Sequence, residues 1–218
     1  LTPLIHLAKA DVSNLRLPTY DADFIKLELG IFKEWLLEKH LNMKLTDEEQ
    51  SLIEKTNQLL VLSALEQPSV FMHRDYHCRN IMLTNQNELA VIDFQDAVKG
   101  PITYDVVSLL RDCYVKWPSH LVLEIFNSFC QQVSEVLGLT VSNEQWQRWF
   151  DLMGMQRHIK ASGIFARLHH RDNKSHYMKD IPLTLSYIVD VSNAYPELVT
   201  FGSFVESRVM PHFVRDKE

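Results

Sequence analysis

Residues 73–80, which read HRDYHCRN, contain side chains that could take part in the transfer of a phosphoryl group. Asp75 stands five residues before Asn80, and Asp93 follows thirteen residues later, at the end of an apolar run. A carboxylate can orient an attacking hydroxyl group and accept its proton. A side-chain amide and a second carboxylate supply oxygen atoms, which are the ligands that Mg²⁺ prefers. These residue types at this spacing therefore indicate metal-assisted phosphoryl transfer.

Short β segments are predicted to position these side chains. Three runs, Ser69–His73, Ile81–Thr84 and Leu89–Asp93, are short and rich in apolar and β-branched residues. Asn85, Gln86 and Asn87 lie between the last two runs, so these two runs are predicted to form a hairpin. A hairpin would bring the side chains at its two ends to one point.

The rest of the chain shows the periodicity of helices. Helices are predicted at about Asp21–Leu41, Thr46–Glu66, Thr103–Tyr114, Pro118–Leu137, Asn143–Leu168, Leu183–Ala194 and Pro196–His212. Capping boxes at Thr46 and Ser142 mark two of the starts, and Gly138 suits a helix end. The predicted fold class is mainly α (α+β), with a small catalytic β-hairpin.

Composition excludes several classes of partner. The net charge of the 218 residues is −6, which gives no electrostatic reason to expect nucleic acid or an anionic membrane as a partner. No apolar run approaches the roughly 18 residues that span a bilayer. The three cysteines are widely spaced and do not resemble a disulfide framework, so we expect a cytoplasmic protein.

The catalytic motif resembles the catalytic and metal-binding loops of the protein-kinase superfamily, and most closely those of its aminoglycoside phosphotransferase-like branch. DFQ at 93–95 replaces the DFG of protein kinases, and no A-P-E segment follows. Within that branch the chain is similar to bacterial kinases of the anomeric hydroxyl of N-acetylmuramate and N-acetylglucosamine. The segments that carry this similarity are LPTYD at 17–21, ELGIFKEW at 28–35, DFQDA at 93–97, MGMQRHIK at 153–160, GIFARL at 163–168 and Arg171-Asp172.

The resemblance implies ATP as phosphoryl donor and Mg²⁺ as cofactor. It makes Asp75 the catalytic base, and Asn80 and Asp93 the magnesium ligands. His77 and Arg79 are expected near the transferred phosphate, with a salt-bridged scaffold role as the alternative for Arg79.

The same resemblance gives two residues a structural role. Asp105 is expected to accept hydrogen bonds from the backbone of the catalytic loop at the start of a helix. His73 is expected to pack beneath that loop and fix its shape.

The resemblance also implies a domain organisation. Residues 1–20 are interpreted as a linker or helix that follows an N-terminal lobe, and residues 21–218 as the helical catalytic C-terminal lobe. We find no glycine-rich loop and no lysine strand before residue 73, so the β-rich lobe that grips ATP is expected to be absent from this chain.

Four polar residues on one predicted helix are candidates for binding the acceptor: Gln156, Arg157, His158 and Lys160. Basic side chains would suit the lactyl carboxylate of a muramate-type sugar and would disfavour a polycationic aminoglycoside. A solvated helix face is the alternative for these four residues. For the whole protein, the alternatives are a kinase of an aminoglycoside, choline or homoserine, or a non-catalytic binding module.

Two further patterns are interpreted as structural. The aromatic residues between Trp146 and Leu168 recur at helical spacing and are predicted to lie in the core. His169, His170 and His176 lack thiolates or carboxylates at ligand spacing, so a polar loop is predicted rather than a metal site.

Overall fold

The computed structural model describes residues 1–213, so positions 214–218 of the predicted catalytic span 21–218 lie outside the described residues. Two compact units are present. The first contains Leu1–Asp21 and Ser63–Met153, and the second contains Ala22–Leu62 and the residues from Gly154 onward. Helices predominate over short antiparallel strands, which confirms the predicted mainly α fold class.

Most of the predicted helices are confirmed, with small shifts at their ends. The α-helices of the described residues are Thr2–Lys9 (α1), Ala22–Ile31 (α2), Asp47–Leu65 (α3), Tyr104–Leu110 (α4), Ser119–Leu137 (α5), Asn143–Asp172 (α6), Ile181–Ala194 (α7) and Val199–Phe204 (α8). Wider π-helical turns continue α2 over Phe32–His40 and α8 over Val205–Val209. Helix periodicity does not distinguish such turns from α-helix, so the sequence analysis predicted single helices at both places.

The predicted helix signals are present in different degrees. Thr46 and Glu49 form a complete capping box, in which each backbone N–H donates to the other residue's side chain. At Ser142 only half of the box forms. The backbone N–H of Gln145 donates to Ser142 Oγ, but the side-chain amide of Gln145 donates to Glu66 Oε1 instead of contacting the backbone of Ser142. Gly138 ends α5 with a φ of +64°, the left-handed conformation that glycine adopts without strain.

Helix α6 is longer than predicted and includes two of the histidines that were assigned to a loop. The helix continues past Leu168 to Asp172, so the predicted polar loop at His169 and His170 is wrong. The physical reason is that the helix ends at Asn173, which has a φ of +55° and takes the left-handed conformation typical of helix ends. The sequence analysis had placed the end at the histidines.

The aromatic residues of α6 are buried, as predicted. Trp146, Trp149, Phe150 and Phe165 are each less than 7% exposed. The indole N–H of Trp149 donates to Glu66 Oε1 at 2.7 Å, which satisfies the polar atom of this large buried ring. The described residues contain no helix that is both long enough and apolar enough to span a membrane.

A glycine lets two segments of the second unit approach closely. A Cβ atom at Gly163 in α6 would lie 2.6 Å from the backbone nitrogen of Phe32 and 2.7 Å from the carbonyl carbon of Ile31. Both atoms belong to backbone, which cannot rotate away as a side chain can. Glycine is therefore required here for steric reasons.

We expect Gly163→Ala to lower the free energy of unfolding by about 2 kcal/mol, because the added methyl group overpacks a backbone contact. Gly30→Ala is the matched control: a Cβ there meets nothing within 4 Å, and removing a helical glycine should stabilise by about 0.5–1 kcal/mol. Urea unfolding of both variants measures the two effects. Equal stability of the two variants would contradict the close approach.

The strands form two antiparallel pairs. Strand β1 (Ser69–Met72) pairs with β4 (Val98–Pro101), and β2 (Ile81–Leu83) pairs with β3 (Leu89–Val91). The β2–β3 pair confirms the predicted hairpin. Strand β4 was missed, because a four-residue strand that contains Lys, Gly and Pro has low β-propensity. Its pairing with β1 decides the position of the catalytic segment, which follows β1 directly.

Candidate active site

Asp105 holds the backbone of the segment that carries Asp75. It is buried in the first turn of α4, and its two carboxylate oxygens accept hydrogen bonds from the N–H groups of His73, at 2.7 Å, and Arg74, at 3.0 Å. Arg74 has a φ of +74°, which non-glycine residues rarely adopt. The hydrogen bond to its N–H stabilises this strained conformation. Asp105 thus makes the kind of contact that the resemblance assigns to it.

Asn80 links the other two residues of the motif. Its amide nitrogen donates to the main-chain oxygen of Asp75 at 3.0 Å and to Asp93 Oδ2 at 3.2 Å. The hairpin produces this meeting, because Asn80 directly precedes β2 and Asp93 follows β3 by two residues. The three residues that the motif singled out are therefore neighbours in space.

Asp93 presents its carboxylate to solvent from a strained backbone. Its φ is +72°, and its side chain is exposed. While Oδ2 receives the Asn80 amide, Oδ1 accepts a 2.7 Å hydrogen bond from the amide of Gln95. Gln95 fixes the carboxylate orientation, a contact that the sequence analysis did not foresee. The sequence signal that could have indicated this contact is Gln95 itself, which stands where protein kinases have the glycine of DFG.

His73 is buried at the start of the loop. It is 2% exposed, and its ring meets that of Tyr76 edge to face at 6.0 Å. Burial lowers the pKa of His73, while the negative charges of Asp75 and Asp93 act in the opposite direction. Burial also raises the pKa of Tyr76 to about 12, with the Asp105 carboxylate as a second cause. Both rings are therefore uncharged near neutral pH and suit a packing role.

Asp112 is a second buried anchor, and the sequence analysis missed it. One carboxylate oxygen accepts the N–H of Cys78 at 3.2 Å, and the other accepts the N–H of Tyr114 at 3.0 Å. Burial, followed by Asp112, raises the pKa of the Cys78 thiol to about 11, so this cysteine is a thiol rather than a nucleophile. An aspartate just after a short helix carries no sequence signal for such a contact.

His77 and Arg79 both contact the ring of Tyr114. The Arg79 guanidinium carbon lies 3.5 Å from the centroid of this ring, and the His77 ring meets it edge to face at 5.8 Å. Stacking on an aromatic face restrains a guanidinium without neutralising its charge. Arg79 is exposed, so it offers a fixed positive charge next to the loop that carries Asp75.

The four candidates for acceptor binding belong to the second unit, whereas the Asp75 loop belongs to the first. Gln156 and His158 are fully buried, and His158 stacks on Tyr187 with ring centroids 4.5 Å apart. A solvated helix face is therefore wrong for these two residues. Lys160 forms a largely buried 2.7 Å ion pair with Glu28, and Arg157 is partly exposed.

We expect Asp105→Ala to lower the free energy of unfolding by about 3 kcal/mol, because two backbone N–H groups lose a charged acceptor. Urea unfolding measures the change. Asp23→Ala is the control, since the Asp23 side chain is 95% exposed and should change stability by at most about 0.5 kcal/mol. A loss at Asp105 no larger than that of the control would contradict the anchoring role.

Comparisons with known proteins agree with the chemistry of this loop. A model of the family described as phosphotransferase enzyme family matches residues 4–138, a region that contains Asp75, Asn80 and Asp93. The matched region ends before the acceptor candidates of α6.

Curated relatives cover more of the chain and carry one name, N-acetylmuramate/N-acetylglucosamine kinase. The protein from Pseudomonas aeruginosa is 42% identical over 208 residues, which are 95% of this chain and 61% of that protein. That from Neisseria meningitidis is 42% identical, over 89% of this chain and 58% of the relative. That from Pseudomonas putida is 41% identical, over 87% and 56%. The chain thus spans about three fifths of the length of these relatives.

Proposed function

Because the chain belongs to the phosphotransferase enzyme family, we propose that it moves the γ-phosphoryl group of ATP to a hydroxyl of an amino sugar of the N-acetylmuramate or N-acetylglucosamine type. The observation that carries the proposal is the meeting of the motif residues, with the Asn80 amide between the Asp75 backbone and the Asp93 carboxylate. The names of the relatives support the substrate class.

Asp75 acts on the acceptor. Its partly exposed carboxylate orients the attacking hydroxyl and accepts its proton as the new bond between oxygen and phosphorus forms. The bond between the γ-phosphorus and the bridging oxygen breaks, and its electron pair leaves with ADP. Two backbone hydrogen bonds to Asp105 and one to the Asn80 side chain keep the loop in place, so that alignment supplies much of the rate gain.

Asn80 and Asp93 form a donor set that fits Mg²⁺. The Asn80 amide nitrogen makes both of its hydrogen bonds to oxygen, so its carbonyl oxygen is the atom that would bind a cation. Asp93 adds an exposed carboxylate that Gln95 orients. Hard oxygen ligands of this kind suit magnesium. A magnesium ion bound to both would neutralise charge on the phosphate groups.

Arg79 and His77 are proposed to lie near the transferred phosphate. Arg79 is always charged and is restrained by Tyr114, so it can stabilise the negative charge of the equatorial phosphate oxygens at little entropic cost. His77, two residues after Asp75, packs edge to face against the same Tyr114 ring.

The acceptor class rests on the relatives more than on charge. The sequence analysis used Arg157, His158 and Lys160 as evidence against a polycationic acceptor, but Glu28 pairs with Lys160 and His158 is buried in an aromatic stack. Reduced cysteines and the need for ATP favour a cytoplasmic site of action.

The substrate class is tested by ADP release from the longest chain that the gene encodes, since this chain spans only part of its relatives. Magnesium and ATP are supplied with N-acetylmuramate, N-acetylglucosamine, kanamycin, choline or homoserine as acceptor. We expect release that depends on an acetylated sugar, and no competition by kanamycin. Release with kanamycin, choline or homoserine alone would assign another acceptor, and magnesium-dependent ATP binding without any release would favour a binding module.

A further inference from the structure

Three histidines of the second unit meet at one point. His40 is the last residue of the π-helical segment Phe32–His40, and His169 and His170 lie in the last turn of α6. One ring nitrogen from each of the three lies within 4.8 Å of the others. His40 stands 129 and 130 positions before His169 and His170, so the fold brings it to them.

The distances suit a tetrahedral metal ion after small side-chain rotations. His40 Nδ1 and His170 Nε2 are 3.0 Å apart. Two nitrogen ligands of tetrahedral zinc, each at about 2.0–2.1 Å from the metal, lie roughly 3.4 Å apart. The present separation of the two imidazole nitrogens is therefore close to the separation that they would have as ligands of one metal ion.

Ser175 supplies the supporting contact that metal-binding histidines usually have. Its hydroxyl lies 2.9 Å from His169 Nδ1, and its oxygen can accept a hydrogen bond from an N–H group at that nitrogen. In the tautomer in which Nδ1–H donates to this hydroxyl, Nε2 carries the lone pair and the hydrogen bond orients the ring. His169 is thus prepared to bind through Nε2.

The surroundings of the cluster keep His40 partly out of water. The ring of Phe213 stacks on that of His40 at 5.9 Å, and both His40 and His169 are partly buried. Lys39, the residue before His40, places its ammonium group over the Trp35 ring at 3.9 Å.

We propose that His40, His169 and His170 bind a zinc-class divalent metal ion, with Ser175 as a positioning residue for His169 and solvent in the fourth position. Imidazole ligands favour zinc, cobalt, nickel and copper over magnesium, so this site is chemically distinct from the one at Asn80 and Asp93. Bound metal would join the end of the Phe32–His40 segment to the end of α6. The role that follows is stabilisation of the second unit.

The test uses the longest chain that the gene encodes, without a histidine tag and freed of metal by a chelator. Calorimetry with Zn²⁺ and visible spectra with Co²⁺ should show one site per chain and the bands of tetrahedral cobalt–nitrogen coordination. His40→Ala and His170→Ala should each abolish this site. His176→Ala and His6→Ala are matched controls at exposed histidines outside the cluster, and they should bind as the unaltered chain does.

Two further measurements distinguish a preorganised metal site from histidines that merely lie close together on the surface. Ser175→Ala should weaken zinc binding by about 10–100-fold, as loss of a supporting hydrogen bond to a ligand does. Zinc should raise the Tm of the unaltered chain and leave that of His40→Ala unchanged, with the metal-free Tm values serving as a check on folding. The proposal would be overturned if the unaltered chain failed to bind zinc. It would also be overturned if His40→Ala and His170→Ala bound zinc as tightly as the unaltered chain does.

Discussion

The Asp75→Asn variant is expected to lose nearly all phosphoryl transfer, with kcat lowered by about 10²–10⁴-fold, while its fold is kept. The amide matches the carboxylate in size but cannot accept the proton of the attacking hydroxyl. The loss should therefore appear in kcat, with little change in the KM for ATP.

The fold should survive because the side chain of Asp75 is not the part that the loop depends on. Asn80 binds the main-chain oxygen of Asp75, and Asp105 binds the N–H groups of His73 and Arg74. All three hydrogen bonds remain available in the variant. The Asp75 side chain is only partly buried, so replacing it with an amide has a small desolvation effect.

The measurement is acceptor-dependent ADP release, with thermal unfolding run on the same preparation. Asp23→Asn serves as the control, because it makes the same chemical change at a carboxylate that is 95% exposed. If Asp75→Asn turned over within a few-fold of the control, another group would be the base.

The second large effect is expected at Asp93. The Asp93→Asn variant should need at least about tenfold more Mg²⁺ for half-maximal activity, because the site loses its negatively charged oxygen ligand. Asparagine tolerates the left-handed backbone that Asp93 adopts, with a φ of +72°, so the substitution tests charge rather than strain.

Magnesium titrations of ADP release measure this shift, and Glu88→Gln is the matched control, since Glu88 is an exposed carboxylate on the same hairpin. Manganese or a large excess of magnesium should recover part of the activity of Asp93→Asn. An unchanged magnesium requirement would remove Asp93 from the metal site, whatever its effect on kcat.

The sequence predicted the residues of the loop better than the contacts that hold it. The spacing of Asp75, Asn80 and Asp93 carried the chemistry, and the apolar runs around Asn85–Asn87 carried the hairpin, so the meeting of Asn80 with Asp93 followed. Asp112 and Gln95 were missed because their partners are a backbone N–H and a neighbouring carboxylate. The contact of Asp112 with Cys78 depends on tertiary position, which a single sequence does not encode as a pattern. Gln95 lies only two residues from Asp93, and its signal was the glutamine in place of a glycine.

Strand β4 and the end of α6 show a different limit. Val98–Pro101 has low β-propensity and forms a strand because β1 offers it a partner, a tertiary effect that overrides local preference. At the end of α6, local polarity suggested a loop, yet the helix stops only where Asn173 can adopt a left-handed conformation. In both places the structure is determined by a long-range strand pairing or by a backbone conformation, and not by local residue preference.

Charge was the least transferable part of the sequence analysis. Lys160 was a candidate for binding an acceptor carboxylate, with a solvated helix face as the alternative, but Glu28, more than 130 residues earlier, forms an ion pair with it. In the opposite direction, His169 and His170, which lacked ligand spacing in sequence, form a cluster with His40. Spacing along the chain cannot reveal a partner on another helix.

Transfer of label from γ-³²P-ATP to N-acetylglucosamine or N-acetylmuramate tests the central proposal most directly. The longest chain encoded by the gene is compared with its Asp75→Asn variant, with magnesium present or removed by chelation. The proposal predicts a labelled sugar phosphate that requires both magnesium and Asp75. Labelled sugar formed equally well by the variant, or no labelled sugar from the unaltered chain, would contradict it.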